Sequence, residues 1–314
     1  MSKKSVIGEE DLNILERRLG SDTFHRRRLL EKALLRQKKP QRRGRRWASK
    51  TFLLEYVLRS LGLWERGFRN YLDPHLVEHE VYLSALPPAF EGFRLLQLSD
   101  LHCTLAEGFL EALLSKLKGI ACDAVLLTGD YCARVGCHHD LVLRDMESIL
   151  AALPLPRWGV LGNYDLLELV PRLENQKLRI LLNEWDKIER GDESLFFCGV
   201  DDPALFRTSN LERARRGISR EACTILLAHS PEVWQKAATL GYSLMLSGHT
   251  HGGQICFPGG RPVLRRTQIP RDLMRGEWRK GSLTGYTSPG TGVSQLSVRF
   301  NCPGEITIHI LRRL

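Results

Sequence analysis

"LSGHTHGGQI", Leu246 to Ile255, carries two histidines, His249 and His251, one residue apart, flanked by Gly248 and by the pair Gly252 and Gly253. It follows directly on "SLMLS", an apolar run of strand length that ends on a small residue. Two imidazoles in a loop with so little other side-chain bulk suit a turn whose backbone must bend sharply and approach an ion closely.

The same arrangement recurs along the chain. From Glu91 onward, short apolar runs end in small or polar residues: "RLLQLSD", "AVLLTGD", "WGVLGNYD", "LFFCGVDD" and "TILLAHS". Helix-like stretches such as "GFLEALLSKLKG" (Gly108 to Gly119) and "PEVWQKAATLG" (Pro231 to Gly241) lie between them. This alternation predicts an α/β domain with a largely internal sheet. Ligands in such sheets gather beyond the carboxyl ends of the strands. Those ends read Asp100 and His102, Asp130, Asn163, His229, then His249 and His251. Seven ligands are too many for one ion and suit two ions that share a carboxylate. The mixture of oxygen and imidazole nitrogen favours Mn, Fe or Zn over Ca.

Each motif is weak alone, but five such loops in order form a pattern. Asp-x-His, Gly-Asp, Gly-Asn-x-Asp, a single His and Gly-His-x-His together resemble the calcineurin-like metallophosphoesterase family, over roughly Phe93 to Leu314. The resemblance implies a sandwich of two mixed β-sheets flanked by helices. It also implies two divalent metals, Mn foremost with Fe or Zn as alternatives. Asp100, His102, Asp130 and His251 would hold one metal and Asp130, Asn163, His229 and His249 the other, so that the two neighbouring histidines serve different ions. Asn163, Tyr164 and Asp165 would then form the catalytic loop. The extended "GHTHGGQICFP" and the C-terminal "GTGVSQLSVRFNCPGEITI" are similar to the membrane-associated bacterial branch. That branch includes the UDP-2,3-diacylglucosamine pyrophosphohydrolase type of lipid A synthesis. The implied reaction is cleavage of a nucleotide-linked lipid diphosphate, UDP-2,3-diacylglucosamine first, to UMP and a lipid monophosphate. A soluble phosphodiesterase or protein phosphatase, and a scaffold without catalysis, are the alternatives.

One position departs from the family pattern. "GNYD" places Tyr164 where the family carries a histidine beside the scissile phosphate. A phenol with an ordinary pKa near about 10 can donate a hydrogen bond to a phosphate oxygen, but it is a poor proton shuttle at neutral pH. A nucleoside monophosphate leaving a diphosphate scarcely needs a proton, whereas an alkoxide does. Tyr164 therefore favours diphosphate over monoester hydrolysis. The alternative reading is that Tyr164 fills space while Asp165 orients a neighbour.

The 314-residue chain has a net charge of +10, and the excess is local. Residues 1–70 hold 19 Lys and Arg against 8 Asp and Glu, leaving 27 against 28 for the rest. After the run "RQKKPQRRGRRWASK" (Arg36 to Lys50) comes "TFLLEYVLRSLGLW", in which Leu53, Leu54, Val57, Leu58, Leu61 and Trp64 recur at helical spacing. Glu55 and Arg59 stand four apart, positioned to pair. The stretch is too short for a span of roughly 20 apolar residues and suits a helix lying in the interface. Residues 1–70 are accordingly expected to form a basic amphipathic segment that contacts an anionic membrane surface, with residues 71–314 as the metallophosphoesterase domain. Deleting Met1 to Arg46 should then leave hydrolysis largely intact. No interleaved aromatic motif points to nucleic acid, and nothing in the sequence speaks to oligomeric state.

The N-terminal "MSKKSVIGEEDLNILERR" lacks the apolar core of a secretory signal. The expected location is thus peripheral, on the cytoplasmic side of the inner membrane. The eight cysteines show no CxxC pair and are expected to be reduced and structural. "CARVGCHHD", Cys132 to Asp140, has a spacing that fits no standard zinc site, and no zinc is expected there. The loop Phe257 to Gly276, rich in Gly, Pro and Arg, is expected to border the substrate.

Overall fold

The computed structural model describes residues 7–36, 42–264 and 269–314, with the side chains of 42–49 excepted. Residues 37–41 of the basic run Arg36 to Lys50, and the side chains of 42–49, thus lie outside the described residues.

Two six-stranded mixed sheets pack face to face. In the first, β1 (His75–Leu83), β2 (Arg94–Leu98), β3 (Ala124–Leu127), β4 (Arg157–Gly159), β5 (Arg179–Ile180) and β12 (Glu305–Arg313) lie in the order β1-β12-β2-β3-β4-β5. Only the β12–β2 pairing is antiparallel. The second sheet comprises β6 (Glu184–Arg190), β7 (Glu193–Gly199), β8 (Thr224–Leu227), β9 (Leu244–Ser247), β10 (Gly276–Lys280) and β11 (Leu283–Thr287), in the order β10-β11-β9-β8-β7-β6. Its inner strands β11, β9, β8 and β7 run parallel and its outer pairings antiparallel. Two mixed sheets with helices on their outer faces are what the sequence motifs implied.

The strands form continuous apolar runs because both of their faces are covered. Along β3, Ala124 and Leu126 enter the layer between the sheets, while Val125 and Leu127 face the helical side. Along β9, Leu244 and Leu246 point inward and Met245 outward. Trp158 of β4 stacks on Phe197 of β7 across that layer, with ring centroids 4.4 Å apart. Helices α5 (Phe109–Leu117), α6 (His139–Ala151) and α7 (Val170–Asn175) cover the first sheet. The short α8 (Leu211–Ala214) and α9 (Trp234–Thr239) cover the second.

Helices α1 (Glu9–Leu19) and α2 (Ser21–Arg36) are docked on the two-sheet domain. Leu15, Leu19 and Phe24 are buried in the first sheet's outer core. Arg18 pairs with Glu174 at 3.0 Å and with Glu184 at 2.6 Å. Arg27 is fully buried, its guanidinium 3.2 Å from the Phe206 ring centroid and in ion-pair range of Glu31 and Asp201. Helix α3 (Arg42–Ser60) follows, and α4 (Trp64–Tyr71) leads into β1. The anticipated Glu55–Arg59 pair forms at 3.0 Å. Leu58 is buried and Leu54 half-buried against Ile255, Leu296 and Val298, whereas Phe52 is 73 %, Leu53 61 % and Tyr56 64 % exposed. The helix thus has one apolar stripe on the domain and another in solvent. No helix among the described residues is long and apolar enough to cross a membrane.

Candidate metal centre

Every ligand candidate sits just past the carboxyl end of a strand: β2 for Asp100 and His102, β3 for Asp130, β4 for Asn163, β8 for His229, and β9 for His249 and His251. The loops of the two sheets converge, and all seven residues meet. His251 Nε2 lies 3.3 Å from Asp100 Oδ1 and 3.1 Å from His102 Nε2, which is 3.7 Å from Asp130 Oδ2. On the other side the same Asp130 oxygen lies 3.4 Å from His229 Nε2. His229 Nε2 is in turn 3.0 Å from Asn163 Oδ1 and 3.3 Å from His249 Nδ1, and these last two atoms are 2.7 Å apart. Asp130 stands between the two groups, shared by both.

The chemistry of this donor set fits divalent cations. His102 Nδ1 meets the Cys132 carbonyl at 2.8 Å and His229 Nδ1 the Thr128 carbonyl at 2.8 Å. A carbonyl only accepts, so each Nδ1 carries a proton and each Nε2 is left to a cation or a second proton. At His229 burial pulls the pKa down, yet Asp130, Asp100 and Asp202 raise it to about 10, so the surrounding carboxylates favour positive charge at this nitrogen. Burial, and then the charge on His229, pull His249 down to about 3. Acceptors facing acceptors in a buried site are satisfied by bound positive charge.

Backbone strain accompanies the convergence. Asp100, His102, Asp130, His249 and His251 all have left-handed φ, between 43° and 70°, a region where non-glycine residues are uncommon and which costs roughly 1–3 kcal/mol each. The ligands thus share the left-handed region with the neighbouring Gly129, Gly252 and Gly253, the last two of which the sequence marked for a sharp turn. Gly162 and Gly248 serve close packing instead: a Cβ at Gly162 would collide with Asp130, and one at Gly248 with Ser99 and Asp100.

Asp165 is fully buried and touches the backbone of the metal loops. Its Oδ2 accepts from the amides of Asp130 and Gly162 at 2.8 Å each, and its Oδ1 from that of Cys132 at 3.0 Å. Burial, and then the Asp130 charge, push its pKa up to about 6, against those amide bonds. This geometry makes Asp165 a positioning residue that locks the β3 and β4 loops together. Tyr164 donates its amide to Asp130 Oδ1 at 2.9 Å, sets its ring 5.5 Å edge-on from His102, and lines the cavity above the ligands. That cavity measures about 520 Å³. Its lining combines Asp130, Asn163, Tyr164, His249 and His251 with the apolar Leu54, Ile255, Leu264, Met274 and Leu296 and the polar Thr51, Thr250, Gln254, Ser294 and Gln295. Leu264 and Met274 belong to the Gly-, Pro- and Arg-rich loop, and residues 265–268 of that loop lie outside the described residues.

Two supporting residues escaped sequence reasoning. Arg27 Nη2 donates to the Asp165 carbonyl at 2.7 Å. Arg299, fully buried, donates to the carbonyls of Pro289 at 2.7 Å, Gly290 at 2.9 Å and Cys302 at 3.1 Å, holding the loop that packs on Asp100 and His251. Arg299 reads in the sequence as an ordinary surface arginine because its partners are carbonyls, which carry no sequence signal, and Arg27 because, beyond Glu31 four residues on, its partners Asp165 and Asp201 lie far along the chain.

The cysteines correct an expectation. Cys132 and Cys137 are joined as a disulfide, their Cα atoms 6.2 Å apart, and the other six are free. The turn between them, with Gly136 at φ 72°, folds the chain back so that a spacing of five residues brings the sulfurs together. His139 joins them in a compact cluster, at a spacing that matches no standard zinc site.

The family model of calcineurin-like phosphoesterases matches residues 93–253. The chain is 26% identical over 260 residues to the uncharacterized metallophosphoesterase YkuE of Bacillus subtilis, covering 78% of this chain and 89% of that one. It is 25% identical to the phosphodiesterase YaeI of Escherichia coli, covering 77% and 91%. It is 29% identical to a zebrafish (Danio rerio) transmembrane protein with a metallophosphoesterase domain, covering 76% of this chain and 58% of that protein. The chain belongs to the calcineurin-like metallophosphoesterases and is a metal-dependent phosphohydrolase.

Proposed function

We propose that this phosphohydrolase works at an anionic membrane surface and cleaves the diphosphate of a nucleotide-linked lipid, with UDP-2,3-diacylglucosamine, yielding UMP and 2,3-diacylglucosamine 1-phosphate, as the first candidate. The observation that carries the reading is the mixed lining of the cavity, which the metal ligands share with Leu54, Ile255, Leu264, Met274 and Leu296. A polar diphosphate at the ligands and an acyl chain at the apolar residues would satisfy both kinds of lining. Leu54 in this lining belongs to α3, whose opposite side exposes Phe52, Leu53 and Tyr56. A substrate drawn from a bilayer would meet the helix and the cavity together.

Asp100, His102, Asp130 and His251 would hold one cation, and Asp130, Asn163, His229 and His249 the other. Bound there, the pair, with manganese first and iron or zinc as alternatives, supplies Lewis acidity and a water nucleophile at neutral pH. The chain's own residues do the remainder. Asp165 holds the β3 and β4 loops in register, and Tyr164 offers a hydrogen bond to a phosphate oxygen. The complete ligand set argues against a non-catalytic scaffold. A phosphodiester substrate is the second reading, favoured by the resemblance to a protein named a phosphodiesterase.

Product release measured across nucleotide-lipid diphosphates, diesters and monoesters, each with and without anionic vesicles, tests the reading. The expected result is preferred turnover of the lipid diphosphate, enhanced by vesicles. Faster turnover of water-soluble diesters, with vesicles indifferent, would establish the second reading instead.

A further inference from the structure

A cluster of soft ligands beside the phosphoesterase centre takes no part in its chemistry. The sulfurs of Cys132 and Cys137 and an imidazole nitrogen of His139 all lie within 4.8 Å of one another. His139 is only 9 % exposed. Its Nδ1 meets Glu168 Oε1 at 2.6 Å, and its Nε2 is buried without a hydrogen-bond partner. A carboxylate behind one ring nitrogen orients the imidazole and raises its basicity, which is how metal-bound histidines are supported. The other nitrogen, unpaired in the interior, lacks a partner that a cation would supply.

We propose that, with the Cys132–Cys137 bridge open, the two thiolates and His139 bind a third divalent cation of the thiophilic class, zinc foremost. Two thiolates neutralise the cation, three protein ligands leave one position for water, and each thiol releases a proton to solvent on binding. Opening the bridge takes two electrons and two protons. A phosphine supplies the electrons and leaves as its oxide, with its oxygen and the two thiol hydrogens coming from water. The site adjoins the phosphoesterase centre through Cys132, whose carbonyl orients His102 and whose amide holds Asp165. A cation there would fix the segment from which His102 takes its orientation.

Cobalt(II) as an optical probe tests this on the full chain. Thiolate ligation produces a near-ultraviolet sulfur-to-cobalt charge-transfer band, which the Asp, Asn and His ligands of the phosphoesterase centre cannot. Phosphine-reduced, desalted protein titrated with Co²⁺ alone is expected to develop the band. Protein with the bridge closed and the Cys132→Ser/Cys137→Ser double variant should both lack it. Zinc analysis should find one equivalent fewer in the double variant than in the reduced parent. Because the serine variant could fail to fold, Glu168→Gln provides a milder check. It leaves all three ligands in place and should weaken cobalt binding at this site by about 10–100-fold. No band in the reduced parent, a band that persists in the serine variant, or unchanged cobalt affinity in Glu168→Gln would each overturn the proposal.

Discussion

Arg27 Nη2 donates to the backbone carbonyl of Asp165 at 2.7 Å, tying the second helix of the chain to the loop that carries Asn163 and Tyr164. The contact joins a segment read from sequence as a peripheral basic arm to the interior of the metal centre. Where the sequence led to the expectation that deleting Met1 to Arg46 leaves hydrolysis largely intact, this contact predicts that the deletion lowers it. Truncation would expose the patch covered by Leu15, Leu19 and Phe24, each worth about 1.5–3 kcal/mol of burial. It would also leave Asp201 buried without its cation.

The single substitution Arg27→Met isolates the polar part of that loss. Glu31 and Asp201 would remain buried with their common cation gone, a situation that costs roughly 3–5 kcal/mol. Glu31 is already raised by burial, against the pull of Arg27, and would rise further. The expected outcome is a marked fall in Tm together with reduced turnover. A variant as stable and active as the parent would show that α2 merely lies against the domain.

Replacing the bridging carboxylate should be the most severe of the ligand changes. Asp130→Ala leaves two cations about 3.5–4 Å apart with less negative charge between them. It also removes the acceptor for the Tyr164 amide. Turnover should fall below that of any single terminal-ligand variant, with fewer than two tightly held ions by metal analysis. Two retained ions and normal activity would remove Asp130 from its bridging place.

The strands and the metal loops were legible in the sequence because their signals are local. An apolar run covered on both faces ends in a ligand, and "AVLLTGD" or "SLMLSGH" says so within seven residues. Arg27, Arg299 and the disulfide were not legible, because each depends on contacts distant in sequence or on the path of a turn. Arg27 meets Asp165 across 138 residues and Arg299 meets carbonyls, while Cys132 and Cys137 depend on a turn at Gly136 that a spacing rule does not encode. The Glu55–Arg59 pair, by contrast, followed from helical spacing alone.

Asp165→Asn distinguishes positioning from direct chemistry. An asparagine side chain would turn one amide group toward backbone N–H donors that now share a carboxylate, at about 1.5–3 kcal/mol for each charged hydrogen bond lost. Activity, metal content and Tm are expected to fall together. Lost activity with unchanged Tm and metal content would mean that Asp165 acts on the substrate itself.

The outward face of α3 should be needed only for substrates held in a membrane. Replacing Phe52, Leu53 and Tyr56 together with Ser removes three exposed apolar side chains and leaves Leu54 and Leu58 on the domain. Partition to anionic vesicles should fall by at least about tenfold, equivalent to about 1.4 kcal/mol. Hydrolysis of a water-soluble diester should stay within error of the parent. Equal co-sedimentation of the two proteins would assign that face to some other contact.

Tyr164 connects the site to the leaving group. If the cations stabilise the attacked phosphoryl group, the remaining demand falls on the departing oxygen, which is a phosphate in a diphosphate and an alkoxide in an alkyl ester. Tyr164→Phe should therefore lower kcat for a nucleotide-lipid diphosphate by only about tenfold, the value of one lost hydrogen bond near 1.4 kcal/mol. Its ring would still pack beside His102, as the parent's does at 5.5 Å. Tyr164→His should improve turnover of monoesters and simple diesters more than that of the diphosphate, because an imidazolium can deliver the proton those poorer leaving groups need. The informative quantity is the ratio of ester to diphosphate turnover, measured for both variants at saturating substrate. An equal gain on both substrates, or complete loss in Tyr164→Phe, would break the inference from this residue to the substrate class.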